Sequence, residues 1–233
     1  MIIQYLMNEK KIIGFPQKIN EQNIKIINKA KINNYYIKNF ENFRETIIKN
    51  IFSTDEVLDI GKSMRGYFNK INSTNITTLD VNKFEDYPDI MFDLCDELPE
   101  NFYNKYDKIV CIAILEHVYN PFKAIENLKK MLKDQGTIFG YVPYLYKYHA
   151  PNNLKFQDYF RFSKDALAYL FKDFKEIELF PVRGRVSAPL NILIPNFLKK
   201  TLEKFKVNIL VDKLSSDRIN SIQCSGYNFI VKK

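Results

Sequence analysis

Seven apolar residues stand in an unbroken row from Ile109 to Leu115. A strand covered on one face alternates apolar and polar positions. One covered on both faces need not, so the row predicts a central parallel strand packed between helices. The next residues fit that placement. Glu116 and His117 end the row, and Asn120-Pro121 predicts a helix start, with Asn as cap and Pro at the first helical position. Phe122, Ile125, Leu128 and Leu132 predict one apolar helix face. Lys129, Lys130 and Lys133 suit the helix's C-terminal dipole, and Gly136 is the expected C-terminal cap. TIFGYVP, 137–143, then predicts a further strand that Pro143 ends.

Upstream, 56–66 reads EVLDIGKSMRG. A short strand at 56–60 ends in a turn where Gly61, lacking a Cβ, lets backbone approach a ligand. ITTLD, 76–80, predicts the next strand, and Asp80 at its tip is placed to accept both hydroxyls of an adenosine ribose. The positions after Gly61 are Lys62, Ser63, Met64, Arg65 and Gly66. They lack the glycines that wrap a pyrophosphate, so a ligand with ribose and adenine but no phosphates fits better. A third strand near 90–91 leads into DLCDELP, where Asp93 with Leu94 can meet an adenine edge; Asp96 is the local alternative.

The remaining segments flank this centre. A strand is expected at 12–16, an amphipathic helix at 21–32 and a second helix at 38–50, with Tyr35, Tyr36 and Arg44 at the ligand mouth. A short helix is expected at 64–71. The aromatic and polar stretch 144–163 comes after the strand ended by Pro143, at the sheet edge where open α/β folds build their sites. Ser163 caps an expected helix at 164–173, and 174–182 is a strand. A helical excursion is expected near 183–215, with Phe197, Leu198, Leu202 and Phe205 as an apolar side after Pro195, and an antiparallel strand at 227–233 ends the chain. Residues 1–50 are thus expected as an N-terminal helical or irregular extension and 51–233 as the main domain.

Composition narrows the classes. No apolar run reaches transmembrane length. Three scattered cysteines make no zinc or redox pattern, so no metal is expected and a reducing cytoplasm is the simplest compartment. The formal charge of +8 comes from lysines dispersed along the chain rather than from a basic block, so a nucleic-acid partner is not expected.

Together, VLDIG at 57–61, Asp80, DLCDELP at 93–99, YDKIVCIAILEHVYNP at 106–121 and LKKMLKDQGTIFGYVP at 128–143 resemble a class I S-adenosylmethionine-dependent methyltransferase. Tyr148-His149, Pro151 and Asp158-Tyr159-Phe160-Arg161-Phe162-Ser163 are similar to a subgroup often linked to surface glycan synthesis. The resemblance covers about 56–182. It implies a three-layer Rossmann-like α/β fold with a seven-stranded, mostly parallel sheet in the order 3-2-1-4-5-7-6, strand seven antiparallel. It implies S-adenosylmethionine as cofactor. Asp59 and Gly61 would lie at its methionine end, Asp80 at the ribose, Asp93 and Leu94 at the adenine, with Ile112, Ala113 and His117 lining the pocket. The loop departs from the family, which carries a second glycine where this chain has Ser63; the resemblance would put its hydroxyl in contact with the cofactor's carboxypropyl tail.

Methyl transfer from a sulfonium needs alignment and, for a hydroxyl acceptor, a base. His149 is the candidate base, Asp158 its orienter or substitute, and Arg161 a partner for an acidic acceptor; the alternative for Asp158 and Arg161 is a mutual ion pair that fixes the loop. Tyr144, Tyr146, Tyr148, Phe156 and Tyr159 can stack on sugar faces. The expected activity is O-methylation of a sugar, glycan precursor or other small polar acceptor, by a protein that could pair as a homodimer. A non-catalytic partner subunit and an RNA or protein methyltransferase are the alternatives.

Overall fold

Residue-by-residue alternation on one strand organises the molecule. In the computed structural model, β5 (Tyr106–Ile112) sends Ile109 and Cys111 into one buried cluster and Val110 and Ile112 into another. Both faces of the strand are thus covered, which is why its apolar row has no polar interruption. The structure describes residues 17–32, 40–64, 66–73, 75–152, 156–195, 197–198, 201–202, 205, 207–214 and 223–233. The expected strand at 12–16 and the rim residues Tyr35 and Tyr36 lie outside them.

β5 pairs in parallel with β2 (Val57–Ile60) on one side and β6 (Leu132–Pro143) on the other. Beyond β2 come β3 (Ile76–Asp80) and β4 (Ile90–Met91), both parallel. Beyond β6, β8 (Gly226–Lys232) inserts antiparallel, then β7 (Glu176–Val182). The outermost strand is β1 (Ala30–Ile32), parallel to β7, and it corrects the expected seven-stranded sheet to eight in the order β1-β7-β8-β6-β5-β2-β3-β4. The helix expected over 21–32 stops at Lys29: α1 is Gln17–Lys29, and its last side chain donates to the Lys172 carbonyl at 2.8 Å as the chain turns into the sheet edge. Inside that edge the strand neighbours are those expected.

Two helices flank the central strands. α2 (Phe40–Lys49) buries Phe43 and Ile47 against Val57 and Val110. α3 (Pro121–Met131) starts where its cap residues predict, with the Asn120 side chain accepting from the Lys123 N–H. Its buried face is Ala124, Ile125, Asn127, Leu128 and Met131, whereas Phe122 is 56% exposed, against an edge-to-face contact with Tyr169. The expected Gly136 cap is also corrected. Leu132 is already extended, Gln135 takes the left-handed conformation (φ 65°), and Gly136 lies within β6 at a register shift against Tyr106 and Lys108. A Cβ there would sit 2.8 Å from the Lys133 carbonyl, so glycine answers crowding rather than helix termination.

The helix expected at 64–71 reduces to a single 3-10 turn at Phe68–Lys70. α4 (Lys164–Leu170) is capped by Ser163, whose hydroxyl accepts from the Ala166 N–H. The excursion before β8 contains α5 (Ser187–Leu193) and α6 (Val207–Leu214). Buried Asp212 ties them together, accepting from the N–H groups of Gly184 and Ser187 and from the Ser187 hydroxyl at 2.6 Å.

Candidate cofactor and acceptor site

The C-terminal ends of β2 and β5 form the floor. Asp59 is 1% exposed; its Oδ1 accepts from the Met64 N–H at 3.0 Å, and its Oδ2 has no hydrogen-bond partner among the described residues. Burial pushes its carboxyl up to about 7, opposed by that N–H and by the Arg44 guanidinium on α2. Gly61 comes next with φ +63°, and a Cβ there would run into Ile114 Cδ1. Glycine suits the position, because the backbone is left-handed and a side chain would have to displace the end of Ile114.

Ser63, the departure from the family loop, turns its hydroxyl inward. It donates to the Ile60 carbonyl at 2.5 Å and accepts from the Ile112 N–H at 2.8 Å. The hydroxyl therefore ties β2 to the end of β5. Ala113, next in line, is left-handed (φ 56°), a conformation a non-glycine residue holds only where its surroundings impose it. Its N–H is held by the Tyr141 carbonyl at 2.9 Å.

Asp80 ends β3 with Oδ1 accepting from the Asn82 N–H at 2.9 Å and Oδ2 from the Tyr87 hydroxyl at 3.2 Å. A carboxylate has about four acceptor positions, so capacity remains for a diol. Tyr87, which sequence reasoning missed, also carries the Lys62 ammonium 4.0 Å from its ring centroid. That contact helps hold left-handed Lys62 (φ 57°). Asp93 folds its own loop, accepting from the Cys95 N–H at 2.8 Å. Leu94 is buried, and its carbonyl accepts from Asn127, which also reaches the Asp96 carbonyl. Asn127 was legible only as a polar residue on an otherwise apolar helix face.

On the candidate acceptor side, the turn 115–117 and residues 157–160 are stitched together. The Glu116 carbonyl accepts from Tyr159 and Phe160, and the Gln157 carbonyl lies 2.5 Å from His117 Nδ1. Burial lowers the His117 pKa. His149 Nδ1 lies 3.0 Å from Asp158 Oδ2, and its backbone N–H donates to the same oxygen at 2.9 Å. Asp158 is hidden and kept anionic, its pKa down to about 2, chiefly by hydrogen bonds from Arg161.

Arg161 makes the ion pair with Asp158 given above as its alternative role. It grips both Asp158 oxygens and donates to the carbonyls of Tyr146, Lys147 and Phe160, which engages all five guanidinium N–H groups. No donor is left for an acidic acceptor, so Arg161 positions the loop. Glu116 is 1% exposed, neither of its carboxylate oxygens has a hydrogen-bond partner among the described residues, and burial pushes its carboxyl up to about 8. Around this cluster Tyr146, Tyr148, Phe156 and Tyr159 are exposed, while Tyr144 packs on Tyr227.

No protein-family model matches the chain, and no curated protein matches it. Solved structures do. A chain of the complex containing the Haloferax volcanii Trm112 methyltransferase activator matches with a TM-score of 0.51 at 16% identity, over 82% of this chain and 88% of that one. The MccD protein matches at 0.50 and 15%, over 83% and 96%. Phosphoethanolamine N-methyltransferase 2 of Haemonchus contortus, solved with phosphomonomethylethanolamine and S-adenosylhomocysteine, matches at 0.51 and 15%, over 86% of this chain and 54% of that one. At such identities the likeness is one of fold: this chain has a Rossmann-like α/β fold like that of the methyltransferase structures among them, with a mixed sheet of eight strands.

Proposed function

We propose that this protein is an S-adenosylmethionine-dependent methyltransferase acting on an oxygen of a sugar, glycan precursor or other small polar acceptor. The observation that carries the reading is the buried Asp59 with an unpartnered Oδ2, beside a left-handed glycine at the strand tip, on a fold shared with methyltransferase structures. A buried carboxylate oxygen without a donor fits a cationic ligand group, and the ammonium at the methionine end supplies one. Asp80 would take the ribose hydroxyls, Asp93 and Leu94 the adenine edge, and Ile112, Ala113 and His117 the pocket wall. The bound cofactor supplies a methyl group on a sulfonium whose leaving group is a neutral thioether.

The chain's own work is then alignment and removal of one proton. Asp158 and the Lys147 carbonyl both face His149 Nδ1, which favours the tautomer that leaves Nε2 free to accept. The exposed rings of Tyr146, Tyr148, Phe156 and Tyr159 suit the apolar faces of a sugar.

The test is methyl transfer from a tritiated donor to a panel of nucleotide sugars and oligosaccharides. Transfer to sugars that falls more than about tenfold in His149→Ala is the expected outcome, within the range of general-base effects. Transfer only to RNA or protein would favour the second enzymatic reading. Cofactor binding with no transfer to any acceptor class would favour a non-catalytic partner subunit.

A further inference from the structure

We infer that Glu116, His117 and His149 form a binding site for one divalent transition-metal ion, contrary to the absence of a metal that the sequence suggested. Nε2 of His117 and Nε2 of His149 each lie 3.8 Å from Glu116 Oε1. One ligand atom from each of the three residues falls within 4.8 Å of the others. Metal bonds of about 2.0–2.2 Å place tetrahedral ligand atoms roughly 3.3–3.6 Å apart, so small side-chain rotations close this triangle on an ion.

Three features set the cluster apart from a chance grouping. The distances are too long for hydrogen bonds, and Glu116, almost fully buried, leaves both carboxylate oxygens unpartnered among the described residues. A native fold seldom buries a carboxyl group with neither oxygen hydrogen-bonded. Each histidine has its Nδ1 turned to an acceptor: the Gln157 carbonyl for His117, Asp158 and the Lys147 carbonyl for His149. That is the outer arrangement that directs a metal-binding imidazole, because it fixes Nδ1–H and leaves the Nε2 lone pair inward. Arg161, with all five donors engaged, holds Asp158 in that outer layer.

Two imidazoles and one carboxylate suit Zn2+, Fe2+, Mn2+ or Co2+ and leave coordination positions open. His149 is partly exposed and Glu116 hidden, so the open side faces the aromatic acceptor surface. The role of the ion rests on the methyltransferase reading, whereas the site does not. Bound to the ion, an acceptor hydroxyl loses its proton to water more readily. Its oxygen then forms the new O–C bond as the C–S bond breaks, and that electron pair returns to sulfur. In this state His149 serves as a ligand and the ion takes over the activation assigned to it above.

The test uses the full chain stripped with chelator and titrated with Co2+, monitored by its visible absorption, then with Zn2+ as competitor. S-adenosylhomocysteine binding is measured on the same preparations. The expected result is one Co2+ per chain, displaced by Zn2+, abolished in Glu116→Gln and unchanged in the exposed control Glu97→Gln. Glu116→Gln replaces an unpartnered buried acid by a neutral amide, so it is expected to fold, which circular dichroism verifies. If His117→Ala unfolds, Glu116→Gln still decides. No binding to wild type, or equal binding to wild type and Glu116→Gln, would overturn the site. Metal binding without S-adenosylhomocysteine binding would instead overturn the methyltransferase reading, and the converse would overturn only the metal.

Discussion

Asp59 illustrates a conflict between stability and binding at a single residue. Its folded pKa, about 7, lies above the ordinary carboxylate value of about 3.9. A raised carboxyl contributes stability below the ordinary value and loses it as pH climbs through the folded one. Relative to Asp59→Asn, wild type should therefore weaken between roughly pH 4 and pH 7. The gap above that window is on the order of a few kcal/mol, since each tenfold change in proton affinity corresponds to about 1.4 kcal/mol. Urea denaturation at pH 5 and pH 8 measures this. The same variant should bind cofactor worse, because the carboxylate that would meet the ammonium is gone; a variant both less stable at pH 8 and unchanged in binding would refute the role. The placement of Asp59, Gly61 and Asp80 at strand tips was legible from the short strands that lead into them. Glu116 was not, because its meaning depends on Nε2 of His149, brought in by a distant segment.

At the scale of elements, β6 and β8 meet through a glycine. A Cβ on Gly140 would overlap Phe229 Cζ and lie 2.5 Å from the Cys111 carbonyl, one neighbour a buried ring and the other the backbone of β5. Gly140→Ala is expected to cost at least about 2 kcal/mol, as overpacking in a rigid core does. A shift of the urea midpoint reads it, and a neutral result would mean that β8 does not pack as described. Strand and helix interiors were legible from period and caps. Their ends were not: α3 stops before Gly136, and β1 replaces the last turn expected of α1. Edge pairing decides such ends, and nothing in Ala30, Lys31 and Ile32 reveals that β7 lies beside them.

For the whole molecule, no helix among the described residues is long and apolar enough to cross a membrane. Leu193, Phe197 and Phe205 are nevertheless largely exposed, within the excursion where self-association was expected from sequence. A homodimer through this surface remains our proposal; the expected division at residue 50 does not hold, because β1 belongs to the main sheet and Phe43 and Ile47 of α2 belong to its core. Sedimentation velocity over a range of concentrations should show a dimer that Phe197→Asp dissociates, and a monomer at every concentration would remove it. The fold was legible because a two-sided central strand, two acidic strand tips and a capped crossover helix leave few architectures open. The acceptor was not, because a ring of exposed aromatics is compatible with many polar molecules.

The central claim is that a nucleoside sulfonium sits across the tips of β2, β3 and β5. Calorimetric titration of S-adenosylmethionine and S-adenosylhomocysteine into wild type and Asp80→Ala tests it most directly. Saturable one-to-one binding is expected, weakened about 10- to 100-fold in Asp80→Ala, the range for losing hydrogen bonds to a charged group. Folded wild-type protein that binds neither ligand, or binding indifferent to Asp80, would contradict it.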